Sequence, residues 1–229
     1  MEDFNVYFGL GVHHILGRNF EGLDHILFVI ALCLRYLWKD WKQVAILVTA
    51  FTIGHSITLA LCALNYLDFS ADWIEFLIPV TIAVTCLNNI MQRPADNVSK
   101  LPLIYFFALF FGLIHGVAFG GEFSSLVSGG RLVAALFSFN LGIEVAQLAI
   151  VAVVLFLSWL VVQAIKLPRI LWLRFASVLI LAFSLKWAWQ RFPLNKTYND
   201  DEKALVIDGS RFRMDQCAVG TKYPEQPRL

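Results

Sequence analysis

The stretch LVAALFSFNLGIEVAQLAIVAVVLFLSWLVVQ, residues 132–163, carries one charged side chain, Glu144, between the flanking Arg131 and Lys166. Crossing a hydrocarbon layer of about 30 Å takes roughly 20 helical residues, so this run is long enough to span a bilayer and must tilt or protrude. Its apolar residues are continuous rather than alternating, and backbone groups in lipid must find partners within their own segment, which favours a helix over a barrel strand. Further apolar runs at 22–38, 43–66, 73–91, 102–120 and 169–189 repeat the pattern. The first of these is short and follows a mixed segment, Asn5 to Arg18, that reads as an interfacial helix. The expected fold is an all-α polytopic membrane helix bundle of about six transmembrane helices plus an N-terminal interfacial helix.

Composition points the same way: 59% of the 229 residues are hydrophobic and 15% charged, with a mean hydropathy of +0.68. Residues 191–229 hold 13 of the 35 Asp, Glu, Lys and Arg residues, leaving 22 for the first 190 positions. That is too few for a water-facing shell, so a soluble enzyme is excluded. The chain divides into a transmembrane domain, 1–190, and a polar C-terminal tail, 191–229, in which Lys203 to Ile207 reads as a short strand. A net charge of +1 leaves no basic surface for nucleic acid, and the partner to expect is the lipid bilayer. Cys33, Cys62, Cys86 and Cys217 form no C-x-x-C pair, which removes thiol metal clusters and c-type haem. The acidic start, Met1-Glu2-Asp3, is unlike the basic start of a secretory signal, so the first segment is expected to stay in the mature protein. Basic residues follow the odd-numbered spans: Arg35, Lys39 and Lys42; Arg93 and Lys100; Lys166, Arg169 and Arg174. The positive-inside rule then makes those loops cytoplasmic and places both termini outside.

Ionisable side chains within spans cost about 2.5 to 3.5 kcal/mol each on insertion scales and call for an explanation. Asp24 and His25 open the first span with His13 and His14 just upstream; His55 lies in the second, His115 in the fourth and Glu144 in the fifth. Helical spacing puts Thr52, His55, Ser56 and Leu59 on one stripe, and Asn140, Glu144 and Gln147 on another. Gly112, Gly116 and Gly120 recur every four residues, a small-residue track that lets another helix approach closely beside His115. With the inferred topology, His14, Asp24, His25 and His115 fall near the outer surface and His55 and Glu144 deeper, a polar funnel open to the outside. Glu75 and Asn88 are candidates for lining the same cavity.

Any one of these histidines alone is accounted for by an interhelical hydrogen bond, and Thr52, Ser56 and Thr58 by bonds to their own helix backbone. The joint set is different: no Lys or Arg lies nearby in sequence within the membrane to pair with the two carboxylates. Neutral imidazole plus carboxylate is the donor set for nickel, cobalt, zinc or iron, and a proton shared between carboxylate and imidazole would also compensate the charge. The candidate metal ligands are His14, Asp24, His25, His55, His115 and Glu144. Ser56, Asn140 and Gln147 are the side chains placed to orient them.

At these positions the sequence resembles the HupE/UreJ family of bacterial membrane proteins. The resemblance rests on His14-Ile-Leu, Gly22-Leu-Asp-His-Ile-Leu-Phe28, Ala50-Phe-Thr-Ile-Gly-His-Ser-Ile-Thr-Leu59, Phe111-Gly-Leu-Ile-His-Gly116 and Phe139-Asn-Leu-Gly-Ile-Glu-Val-Ala-Gln147. It covers about residues 9 to 165, and it is the ordered combination that is specific. Residues Gly17 to Glu21 look like an extra stretch between the first His and the Asp-His pair. The resemblance implies a nickel or cobalt permease of the bacterial inner membrane, and the family's polar positions fall on His14, Asp24, His25, His55, His115, Glu144 and Gln147.

Three functions compete on the residues. A secondary permease for a divalent transition metal suits a chain of His and carboxylate positions, and without a nucleotide-binding motif its drive must come from gradients or a partner. An intramembrane zinc-dependent hydrolase acting on a lipid or lipoprotein would hold zinc on three His and a carboxylate, with Glu144 or Asp24 as general base. Ser56 is no nucleophile candidate, since it points about 100° from His55 and no G-x-S-x-G elbow exists. A b-type haem between two histidines is the third, and a purified protein without Soret absorption would discount it. The metal ion is the expected ligand in the first two cases; a homo-oligomer stays open.

Overall fold

The structure, a computed structural model, describes residues 2–17, 21–67, 70–92, 102–127 and 132–194. The tail beyond 194, with the strand expected at Lys203 to Ile207, lies outside the described residues, as do Arg18, Arg93, Lys100 and Arg131. The described residues form seven α-helices: α1 Glu2–Leu16, α2 Glu21–Cys33, α3 Trp41–Ala63, α4 Ala71–Met91, α5 Pro102–Leu126, α6 Leu132–Trp159 and α7 Arg169–Gln190. A 3₁₀ turn, Trp38–Asp40, leads into α3, and a π turn, Leu160–Ala164, ends α6. Helices α3 to α7 are long and apolar enough to cross a membrane. Side chains such as Ile46, Ile53, Val153, Phe156, Phe175 and Phe183 face outward from the bundle, as a lipid-solvated surface requires.

The first expected span, 22–38, is corrected. Helix α2 has 13 residues, about 20 Å at 1.5 Å per residue, and does not reach across a bilayer by itself. Its hydropathy comes from burial in protein: Phe28, Val29, Ala31, Leu32 and Cys33 are all at most 5% exposed, and α2 touches α1, α3, α4, α6 and α7. A helix walled by five others needs no lipid-facing side, and composition alone does not separate that case from a span. Around α2, Phe28, Phe51, Ile82, Phe111 and Leu173 form one core, and Val29, Cys33, Val44, Leu47 and Val154 another. Asn89 of α4 donates to the Ala31 carbonyl on its last turn at 2.7 Å. Asn89→Ala should therefore lower stability by about 1 kcal/mol, read as an earlier midpoint in a detergent denaturation titration; an unmoved midpoint would show that the bond contributes nothing.

Glycines decide two of the helix pairings. α3 and α5 run parallel: a side chain at Gly112 would strike the Phe51 carbonyl, and one at Gly116 the His55 backbone and the Thr58 hydroxyl. Gly54 answers from α3 against the Leu109 carbonyl. The segment expected as an interfacial helix is α1, and it is docked on α6, where Gly11 lies against Phe139 and Gly142 against Phe8. Ser138 Oγ donates to the Phe4 carbonyl at 2.5 Å on the same seam. Each pairing brings a histidine-bearing segment inward, His55 and His115 through α3 and α5, His14 through α1.

Candidate metal centre

The centre begins where α1 stops. The Gly17 N–H closes α1 on the His13 carbonyl at 2.6 Å, and Gly22 lets the first turn of α2 abut the carbonyls of His14 and Ile15. His14 at the end of one helix is thereby set against Asp24 and His25 at the start of the next. One ring nitrogen from each of His14, His25 and His55 lies within 4.8 Å of the others. Around a metal bound at about 2.0–2.1 Å, tetrahedral nitrogens sit roughly 3.3 Å apart, so closing on an ion takes side-chain shifts of about 1 Å. Ring centroids are 4.8 Å apart for His14 and His25, and 5.9 Å for each of these with His55.

His115 joins from α5, its ring 4.9 Å from that of His25. Thr81 of α4 lies 3.4 Å from its Nε2 and uses its own proton on the Ile78 carbonyl at 2.7 Å. The threonine oxygen is then an acceptor for an Nε2–H, which leaves the buried Nδ1 of His115 as a lone-pair donor with no hydrogen-bond partner among the described residues. Phe28, Phe51, Phe119 and Phe139 wall the imidazoles, with Phe119 at 4.2 Å from the His14 ring. Neutral imidazole is the form that ligates a metal.

A cavity of about 450 Å³ opens beside the rings, lined by His14, Asp24, His25, Glu75, His115 and Arg191 among others. It shares Glu75 and Ala118 with a second space of about 550 Å³ toward the α3–α4 loop, so the imidazoles are approached from that end of the bundle. Glu75 thus lines the cavity; Asn88 does not, since it borders a separate pocket with Arg35 and Phe107 nearer the other end of α4.

The two carboxylates stand apart from the imidazoles. Asp24, 6% exposed, is bound by the Arg191 guanidinium at 2.7 Å. The expectation that a metal or a shared proton, rather than a Lys or Arg, compensates it is corrected, because Arg191 caps α7 and folds back 167 residues to the start of α2. Glu144 lies on the α3–α6 seam, where Thr49 Oγ1 donates to its Oε1 at 2.5 Å, and it lines none of the cavities described above. Between it and His55, Thr52 donates to Gln147 Oε1 at 2.9 Å. Asn140 stands beside the His55 ring and donates its own Nδ2 to the Leu136 carbonyl. Ser56 bonds the Thr52 carbonyl of its own helix at 2.7 Å and reaches no imidazole. Sequence reasoning missed Arg191 and Thr81; a basic residue closing a span and a hydroxyl two positions after Pro79 were the only signals available.

The family model for HupE / UreJ protein matches residues 1–191 of the chain. The chain belongs to the HupE/UreJ family. The match reaches through α1 and α7, beyond the residues 9 to 165 that carry the motif resemblance, and so takes in Arg191. No curated protein and no solved structure matches the chain. HupE/UreJ proteins are associated with nickel and cobalt transport.

Proposed function

We propose that this HupE/UreJ protein is a membrane permease for a divalent transition metal of the nickel or cobalt class. The carrying observation is the group formed by His14, His25 and His55, three nitrogen donors within 4.8 Å from three helices, beside a cavity that reaches one end of the bundle. Three neutral donors without a fixed carboxylate bind a borderline metal without caging it, which a site that must also release requires. His115 extends the row of donors along the cavity wall. Arg169 donates to the Arg35 carbonyl, and Lys39, Lys42 and Lys166 belong to the same end of the bundle, opposite the cavity. By the positive-inside rule that end faces the cytoplasm, so the cavity faces outward from a bacterial inner membrane.

The hydrolase reading draws less support, because Asp24 and Glu144, its candidate bases, are engaged by Arg191 and Thr49. Uptake of nickel and of cobalt into proteoliposomes tests the permease. His14→Ala and His25→Ala should each cut the initial rate by at least about tenfold, the scale of losing a metal contact. Accumulation unchanged in both variants would remove the proposal.

A further inference from the structure

Arg191 is the one feature of the cavity that a cation-binding site would not be expected to carry. Its backbone N–H closes α7 on the Trp187 carbonyl at 2.9 Å, and its guanidinium lies 5.5 Å from the Trp187 ring centroid. From that fixed base Nη1 donates to Asp24 Oδ2 at 2.7 Å. The guanidinium side chain is 24% exposed and lines the cavity together with His14, His25 and His115. Asp24 Oδ1 is buried and makes no hydrogen bond among the described residues, so Arg191 satisfies only one of the two carboxylate oxygens. Asp24 also precedes His25 directly in the chain, yet it is outside the group of nitrogens within 4.8 Å.

Resting on the permease reading above, we infer that Arg191 is a tethered cation that competes with the incoming metal for Asp24 and thereby weakens the site enough for release. A divalent ion on three neutral imidazoles keeps its full charge, and the adjacent carboxylate is the natural counter-charge. While Arg191 holds Asp24, the ion meets a neutralised carboxylate and a like charge at the cavity wall. Binding at full strength requires the guanidinium to withdraw; its return helps expel the metal. An Arg tethered in this way sets affinity and exchange without touching the ion.

The test titrates cobalt(II) into the purified full chain, following the visible d–d bands. Wild type is compared with Arg191→Gln, Asp24→Asn, the double variant and His55→Ala. Arg191→Gln should bind cobalt at least about tenfold more tightly and dissociate more slowly. In the Asp24→Asn background the same change should gain no more than about threefold, since it removes only the like charge at the cavity wall and nothing is left to compete for. Arg191→Lys, which keeps the charge and so guards against a folding defect from loss of the pair, should stay within about threefold of wild type. Equal or weaker binding by Arg191→Gln, or a gain undiminished in the Asp24→Asn background, overturns the competition while leaving the metal centre standing. Absence of cobalt binding in wild type and every variant overturns both the centre and the competition. Binding untouched by His55→Ala overturns the centre as assigned, and the Arg191 comparison then decides the competition by itself.

Discussion

Gly116→Val should destroy the folded bundle, at a cost on the order of 3 kcal/mol or more, whereas Gly121→Val, further along the same helix, should leave it within about 0.5 kcal/mol of wild type. At Gly116 the first added carbon meets the Thr58 hydroxyl and the Cα and carbonyl of His55, and no rotamer change relieves a clash with backbone. At Gly121 nothing lies within 4 Å. Both substitutions add the same apolar volume and the same helix-propensity change, so the difference between them isolates the α3–α5 approach. Thermal unfolding in detergent, with size-exclusion chromatography as a check on dispersity, reads it out. A Gly116→Val protein that stays monodisperse and melts within about 2 °C of wild type would mean that the two helices do not meet as described.

That seam was legible in the sequence from one side only. The four-residue spacing of Gly112, Gly116 and Gly120 announces a close helix contact, and a lone Gly54 beside His55 does not reveal that it is the other half. The long helices α3 to α7 were readable because lipid selects for uninterrupted apolar runs, and hydropathy measures that selection directly. Helix α2 misled for the same reason, since the interior of a bundle is as apolar as its lipid face. Helical periodicity put His55 and Glu144 each on a face of a helix, but not which neighbour covers that face. So His55 joins His14 and His25, while Glu144 turns to Thr49 on the α3–α6 seam. The Arg191 to Asp24 pair was beyond reach because its partners are 167 residues apart, and nothing local to α7 marks the residue that caps it as a cavity wall.

The largest functional effect should come from His55→Leu, which is expected to cut cobalt or nickel affinity at least about 100-fold while making the metal-free protein more stable by about 1 kcal/mol. His55 is 0% exposed, and neither ring nitrogen has a hydrogen-bond partner of ordinary geometry among the described residues. Burying polar nitrogens unsatisfied costs roughly 1–3 kcal/mol, and leucine fills a similar volume with none to satisfy. A residue retained for packing would show the reverse, because its replacement would open a void or a clash against Phe51 and the α5 glycines. Stability should be compared in excess chelator, where only the protein's own interactions count, and affinity by direct titration. In saturating metal the order of stabilities should invert, since wild type alone gains the linkage term from binding. A His55→Leu variant that melts lower in chelator and binds metal as wild type does would make His55 a core residue, and the donors would have to be sought among His14, His25 and His115.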